Sequence, residues 1–105
     1  MRFAWHEAKN RRNLAKHSVS FETAALVFDD PHAISRRERI VETAVEIEER
    51  WQTLGKIGGE VIVLVAHLWL EGEDSDEEVI RIISARKATP RERQCYEERS
   101  FDEKA

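Results

Sequence analysis

The clearest hydrophobic pattern in the chain is Val61–Leu70, VIVLVAHLWL, in which apolar residues fill both alternations at once. A strand apolar on both faces is expected at the centre of a sheet, covered from both sides. Gly58-Gly59 is a hairpin signal of the glycine-pair type. It makes Arg50–Ile57, with Trp51, Thr53 and Leu54, the antiparallel neighbour of that strand. Val79–Ala85 is another β-rich apolar run, interrupted by Arg81. Ala33–Ile40 reads as a first strand with Arg36, Arg37 and Arg39 on or beside it. Val41–Glu49 alternates Val41, Thr43, Val45 and Ile47 against Glu42, Ala44, Glu46 and Glu48. A strand explains that alternation, and the composition also tolerates helix.

Helical period appears at the two ends. Glu7–His17 lacks breakers, is mostly polar and places Lys9, Asn13, Lys16 and His17 on one stripe, so it should lie across the surface. That stripe can hydrogen-bond a phosphate or a base; equally, Asn13 and His17 can fasten the helix to the neighbouring turn. Ser20 caps a second helix, Phe21–Asp29, whose Phe21, Ala24, Ala25 and Phe28 form a core stripe. Asp29-Asp30-Pro31 ends it, because the residue before proline avoids helical dihedrals. Thr89-Pro90-Arg91-Glu92 is a capping box that opens a C-terminal helix. The order predicts an α+β fold: two N-terminal helices, a small antiparallel β-sheet of about four strands and a C-terminal helix, with helices mainly on one face.

At 105 residues the chain is expected to be one domain, residues 1–105. The lone Cys95 excludes an internal disulfide and suits a reducing compartment. With no apolar signal region and no apolar run long enough to span a bilayer, a cytoplasmic protein without membrane contact is expected. A net charge of −4 argues against indiscriminate nucleic-acid binding, but the charge is segregated. Met1–Ser20 holds Arg2, Lys9, Arg11, Arg12 and Lys16 against Glu7 alone, and Val79–Tyr96 holds Arg81, Arg86, Lys87, Arg91 and Arg93 against Glu92 alone. Between them, Glu71–Glu78 is an acidic loop. The two basic segments can converge into a phosphate-sized patch.

Strand geometry limits that idea. In a regular strand Arg81 points with Val79, Ile83 and Ala85, while Ser84 and Arg86 point the other way. The two arginines share a face only if a bulge intervenes, or if Arg86 lies past the strand end. The four histidines and single cysteine show no ligand spacing, so neither a metal nor another cofactor is expected.

The motifs together resemble the BrnT-type toxins, the ribonuclease half of BrnT–BrnA type II toxin–antitoxin systems. The likeness rests on Phe3, Trp5, Lys9, Asn10, Asn13, Leu14, Lys16 and His17, on Ser20–Ala24, on Asp30-Pro31, on Glu49–Gly55 and on Ile80–Tyr96. His6 stands where the family usually has an acid. The resemblance implies a RelE-like fold, metal-independent cleavage of RNA, and neutralisation by a BrnA-like ribbon-helix-helix antitoxin, through which alone DNA is reached. Such cleavage needs a base for the ribose 2′-OH, cations for the phosphorane and an acid for the leaving oxygen. Arg81 and Arg86 would then grip the phosphate, Glu92 or a histidine would act as base, and Tyr96 would orient or donate a proton. Lys9, Asn13, Lys16, His17 and Arg91 would bind substrate. Glu92 has the alternative of serving only its cap, Tyr96 and His67 that of core packing. The rival class is a non-catalytic protein- or nucleic-acid-binding module within a repressor complex.

Overall fold

Two surfaces of Val61–Leu70 need cover, and the chain supplies a different helical layer for each. In a computed structural model of the chain, which describes residues 1–42, 47–72 and 77–101, the elements run β1 (Arg2–Ala4), α1 (Glu7–His17), α2 (Phe21–Ala24) continuing as a 3₁₀ turn (Ala25–Asp29), β2 (Ile34–Glu42), β3 (Ile47–Ile57), β4 (Val61–Glu71), β5 (Glu78–Lys87) and α3 (Pro90–Glu98). The sheet order is β1-β5-β4-β3-β2, so β4 is central. Val63 and Val65 face Val19, Phe21, Ala24, Val27, Ile80 and Ile82. Ile62 and Leu64 face Leu54, Cys95 and Tyr96. The helices therefore divide: α2 and its 3₁₀ turn cover one face and α3 the other, as an inner strand apolar on both sides demands.

Local chemistry accounts for the element boundaries. Ser20 Oγ accepts from Thr23 N–H, capping α2. Thr89 and Glu92 form both halves of the capping box at α3, with Pro90 at the first helical position. Gly58, at φ 61°, takes the left-handed step of the β3–β4 turn. The ends of the Val41–Glu49 stretch continue β2 and begin β3. Its middle, 43–46, and most of the acidic loop, 73–76, lie outside the described residues.

The structure adds a fifth strand to the expected set. β1 pairs in parallel with β5, Arg2 opposite Val79 and Ala4 opposite Arg81. A three-residue strand shows no period, and parallel pairing leaves no hairpin signal, so only tertiary contact reveals it. The second predicted helix also changes form. Its last five residues tighten to 3₁₀ geometry, and Val27 is pressed against β3 at Gly55. A Cβ on residue 55 would lie 2.6 Å from Val27 Cγ1 and 2.9 Å from the Val27 carbonyl oxygen.

Because a backbone oxygen cannot rotate aside, Gly55→Ala is expected to cost about 1–3 kcal/mol, read as a lowered melting temperature. Gly59→Ala faces open space and should leave the melting curve nearly unchanged. Equal melting of the two variants would refute the close-packing explanation for Gly55.

Candidate basic cleft on the last strand

Residue pairing along β5 resolves the question of the two arginines. Arg81 pairs with Leu68, Ile82 with His67, Ser84 with Ala66 and Arg86 with Leu64, leaving Ile83 as the extra residue of a bulge. Paired residues in a ladder point the same way, and alternate residues of β4 share a face. Arg81, Ser84 and Arg86 therefore lie on one face, and the one-residue insertion makes this possible.

The bulge also sits where β5 loses a strand neighbour, since β1 stops opposite Arg81. The carboxamide of Asn13 takes the place of one. Its Nδ2 donates to the carbonyls of Ala85 and Val19, both at 2.8 Å, and its Oδ1 accepts from Ala85 N–H at 3.1 Å. Asn10 ties the same helix to α2, accepting from Phe21 N–H at 2.8 Å and donating to Glu22 at 2.6 Å. These buried asparagines explain how so polar a helix is held. Both amide hydrogens of Asn13 are committed to backbone carbonyls, the fastening role weighed against substrate binding, and the same side chain stands in the wall of the cleft between α1 and β5.

With α1 held there, Lys9, Arg12, Lys16 and His17 converge on Ile83 and Ser84 to line an open cleft of about 320 Å³. Among the described residues Lys9, Arg12, Lys16 and Arg81 have no ion-pair partner. Unpaired cations around a concave surface attract phosphate. The expected residues Lys9, Lys16 and His17 are brought together here. Arg12 and Ser84 were not singled out, although the three- and four-residue spacing of Lys9, Arg12 and Lys16 was a signal for the former.

The other expected site residues are engaged elsewhere. Arg86 donates to both carboxylate oxygens of Glu92, at 2.7 and 2.9 Å, and Glu92 also accepts from Thr89 N–H at 2.9 Å. Burial disfavours the Glu92 carboxylate, but the hydrogen bonds from Arg86 and Thr89 outweigh it and hold its pKa below the usual range. Hydrogen bonding to Glu92 raises Arg86 against the opposing effect of burial. A carboxylate so satisfied is a weak base. Tyr96 is buried, and its hydroxyl donates to Asp30 Oδ2 at 2.6 Å. Burial, then Asp30, pushes its pKa up to about 12. Asp30 further accepts from the backbone N–H of Lys56 and His32, so Tyr96 ties α3 to the Asp30-Pro31 turn. Asp30 and Lys56 line a separate cleft. Arg91 is exposed in the first turn of α3 and does not line the α1–β5 cleft. No group of three or more His, Cys, Asp or Glu among the described residues is placed to hold a metal.

A model of the family described as "Ribonuclease toxin, BrnT, of type II toxin-antitoxin system" matches residues 5–92, a span that takes in α1, β5 and the start of α3. Among solved structures the chain is similar to the ribonuclease toxin BrnT of Brucella abortus. The TM-score is 0.54 and the identity 24%, over 85% of this chain and 97% of that one. At that identity the likeness concerns the fold. No curated protein matches the sequence.

His67, weighed above as a base, is fully buried on β4. Its Nε2 lies 2.7 Å from Thr53 Oγ1, which lies 2.7 Å from Ser35 Oγ, and Phe28 and Trp69 pack edge-on against the ring. Burial lowers its pKa from 6.5 to about 4, a backbone contact at Leu68 opposing, so it is neutral in the fold. The unfolded chain binds the additional proton between those values, so stability is full above about 6.5 and is lost as pH falls toward 4. Melting temperature is expected to decline across that window in the parent chain and to decline less in His67→Gln. Parallel pH profiles for the two would exclude His67 as the source.

Proposed function

The chain belongs to the family of BrnT ribonuclease toxins of type II toxin–antitoxin systems, and from that premise we propose that it is a metal-independent endoribonuclease working in the α1–β5 cleft. One observation carries the reading: free cations and an imidazole on α1 converge with Ser84 at the bulge of β5. An imidazole exchanges protons near neutral pH, and His17 is the one lining this cleft. His17 takes the proton from the ribose 2′-OH, and that oxygen forms a bond to phosphorus. Lys9 and Arg12 meet the charge of the phosphorane. The bond from phosphorus to the 5′-oxygen breaks, and Lys16, beside His17, protonates the leaving oxygen. The products are a 2′,3′-cyclic phosphate and a 5′-hydroxyl. Each step is supplied by the chain's own groups, which is the support for metal independence.

Arg86, Glu92 and Tyr96 take supporting roles. The fork from Glu92 fixes the guanidinium of Arg86 on the face that also bears Arg81 and Ser84, and Tyr96 anchors the helix that carries Glu92. The neutralising partner is a BrnA-like ribbon-helix-helix antitoxin, and DNA is reached only through it. The compartment is the cytoplasm, where RNA and partner meet.

Purified protein, freed of any antitoxin, is expected to cut single-stranded RNA in the presence of a chelator and to leave cyclic ends. His17→Ala should slow cutting by about 100-fold or more with an unchanged melting curve. Glu92→Gln should lose less activity but more stability. RNA that is bound yet left intact would favour the non-catalytic binding module.

A further inference from the structure

Arg81 shares a face with Ser84, yet it opens onto a different hollow. That hollow, about 370 Å³, lies where β1 leaves the sheet for α1, and Arg81, His6, Trp5, Leu70 and Glu71 are among its walls. Leu70 is 41% exposed there, an apolar side chain left open in the same wall as Trp5. Arg2 at the rim is occupied by Glu77 at 3.0 Å, whereas Arg81 has no partner among the described residues.

The hollow and the basic cleft share both walls. One is α1 with its lead-in, His6 in the hollow and Lys9 one turn on in the cleft; the other is β5, Arg81 in the hollow and Ile83 and Ser84 in the cleft. From His6 to His17 the helix rises about 16 Å, longer than the sugar–phosphate repeat of one nucleotide. Resting on the ribonuclease reading, we infer that the RNA track continues from the cleft into this hollow. The base one nucleotide beyond the pair that flanks the scissile bond packs on Leu70 and Trp5, and the phosphate joining it to that pair is met by Arg81 and His6. The carboxylate of Glu71 repels phosphate from the far rim and so fixes which end of the hollow the backbone takes. The ligand class is a single-stranded RNA segment longer than a dinucleotide.

The test compares cleavage of a dinucleotide with cleavage of a hexanucleotide by the parent chain and by Leu70→Glu, a change at an exposed position, with melting curves alongside. The parent should cut the hexanucleotide with the higher kcat/KM. Leu70→Glu should lower that value by about fivefold or more while the dinucleotide value stays the same. Equal kcat/KM for the two lengths, or an equal loss on both, would overturn the track. If the parent cuts neither, the ribonuclease reading fails separately. Anisotropy with a 2′-O-methyl hexanucleotide then decides the track: weaker binding by Leu70→Glu supports it, and unaltered or absent binding removes it. Loss of antitoxin neutralisation with unchanged RNA kinetics would assign the hollow to the protein partner and overturn the inference.

Discussion

The structure depends most on one carboxamide. β5 loses its strand neighbour beyond Arg81, and an unpaired strand edge exposes backbone groups that demand partners. Asn13 supplies them, binding both the N–H and the carbonyl of Ala85 while also holding the Val19 carbonyl. α1 buries no large apolar side chain of its own; its buried residues are Asn10 and Asn13. Hydrophobic burial alone would leave it loosely placed. Polar contacts of fixed geometry set it along the strand, and the positions of Lys9, Arg12, Lys16 and His17 follow.

The bulge is the second constraint, and it acts in concert with the first. Inserting Ile83 turns Ser84 and Arg86 to the face of Arg81 while keeping Ile80, Ile82 and Ala85 together in the opposite core. A strand of strict alternation would have to surrender either the core or the basic face. The extra residue preserves both, at the cost of local ladder hydrogen bonds.

On the face of the sheet that bears Arg86, α3 is a buttress. Its capping box serves two purposes, because the glutamate that closes the box also forks onto Arg86. Tyr96 then fastens the helix to Asp30, which collects backbone donors from Lys56 and His32. Residues that read as chemistry in the sequence are thus tied into the scaffold, while the imidazole of His17 on α1 stands in the wall of the basic cleft.

Much of this was fixed by local rules that the sequence obeys openly. The both-faced apolar run of β4, the glycine-pair turn, the extent of α1 and the Thr89–Glu92 cap follow from periodicity and capping chemistry within a few residues, and the structure reproduces them. The basic character of the first helix and last strand was equally legible. Three things were decided only in three dimensions. β1 is too short to show a period, and its partner lies far along the chain. The bulge at Ile83 follows from the register against β4, which no alternation within β5 discloses. The partners of Asn13, Glu92 and Tyr96 were settled by which donors and acceptors folding brought within reach. A side chain able both to bind a ligand and to satisfy the backbone announces neither role in sequence; burial decides, because an unsatisfied buried polar group costs more than a lost surface contact.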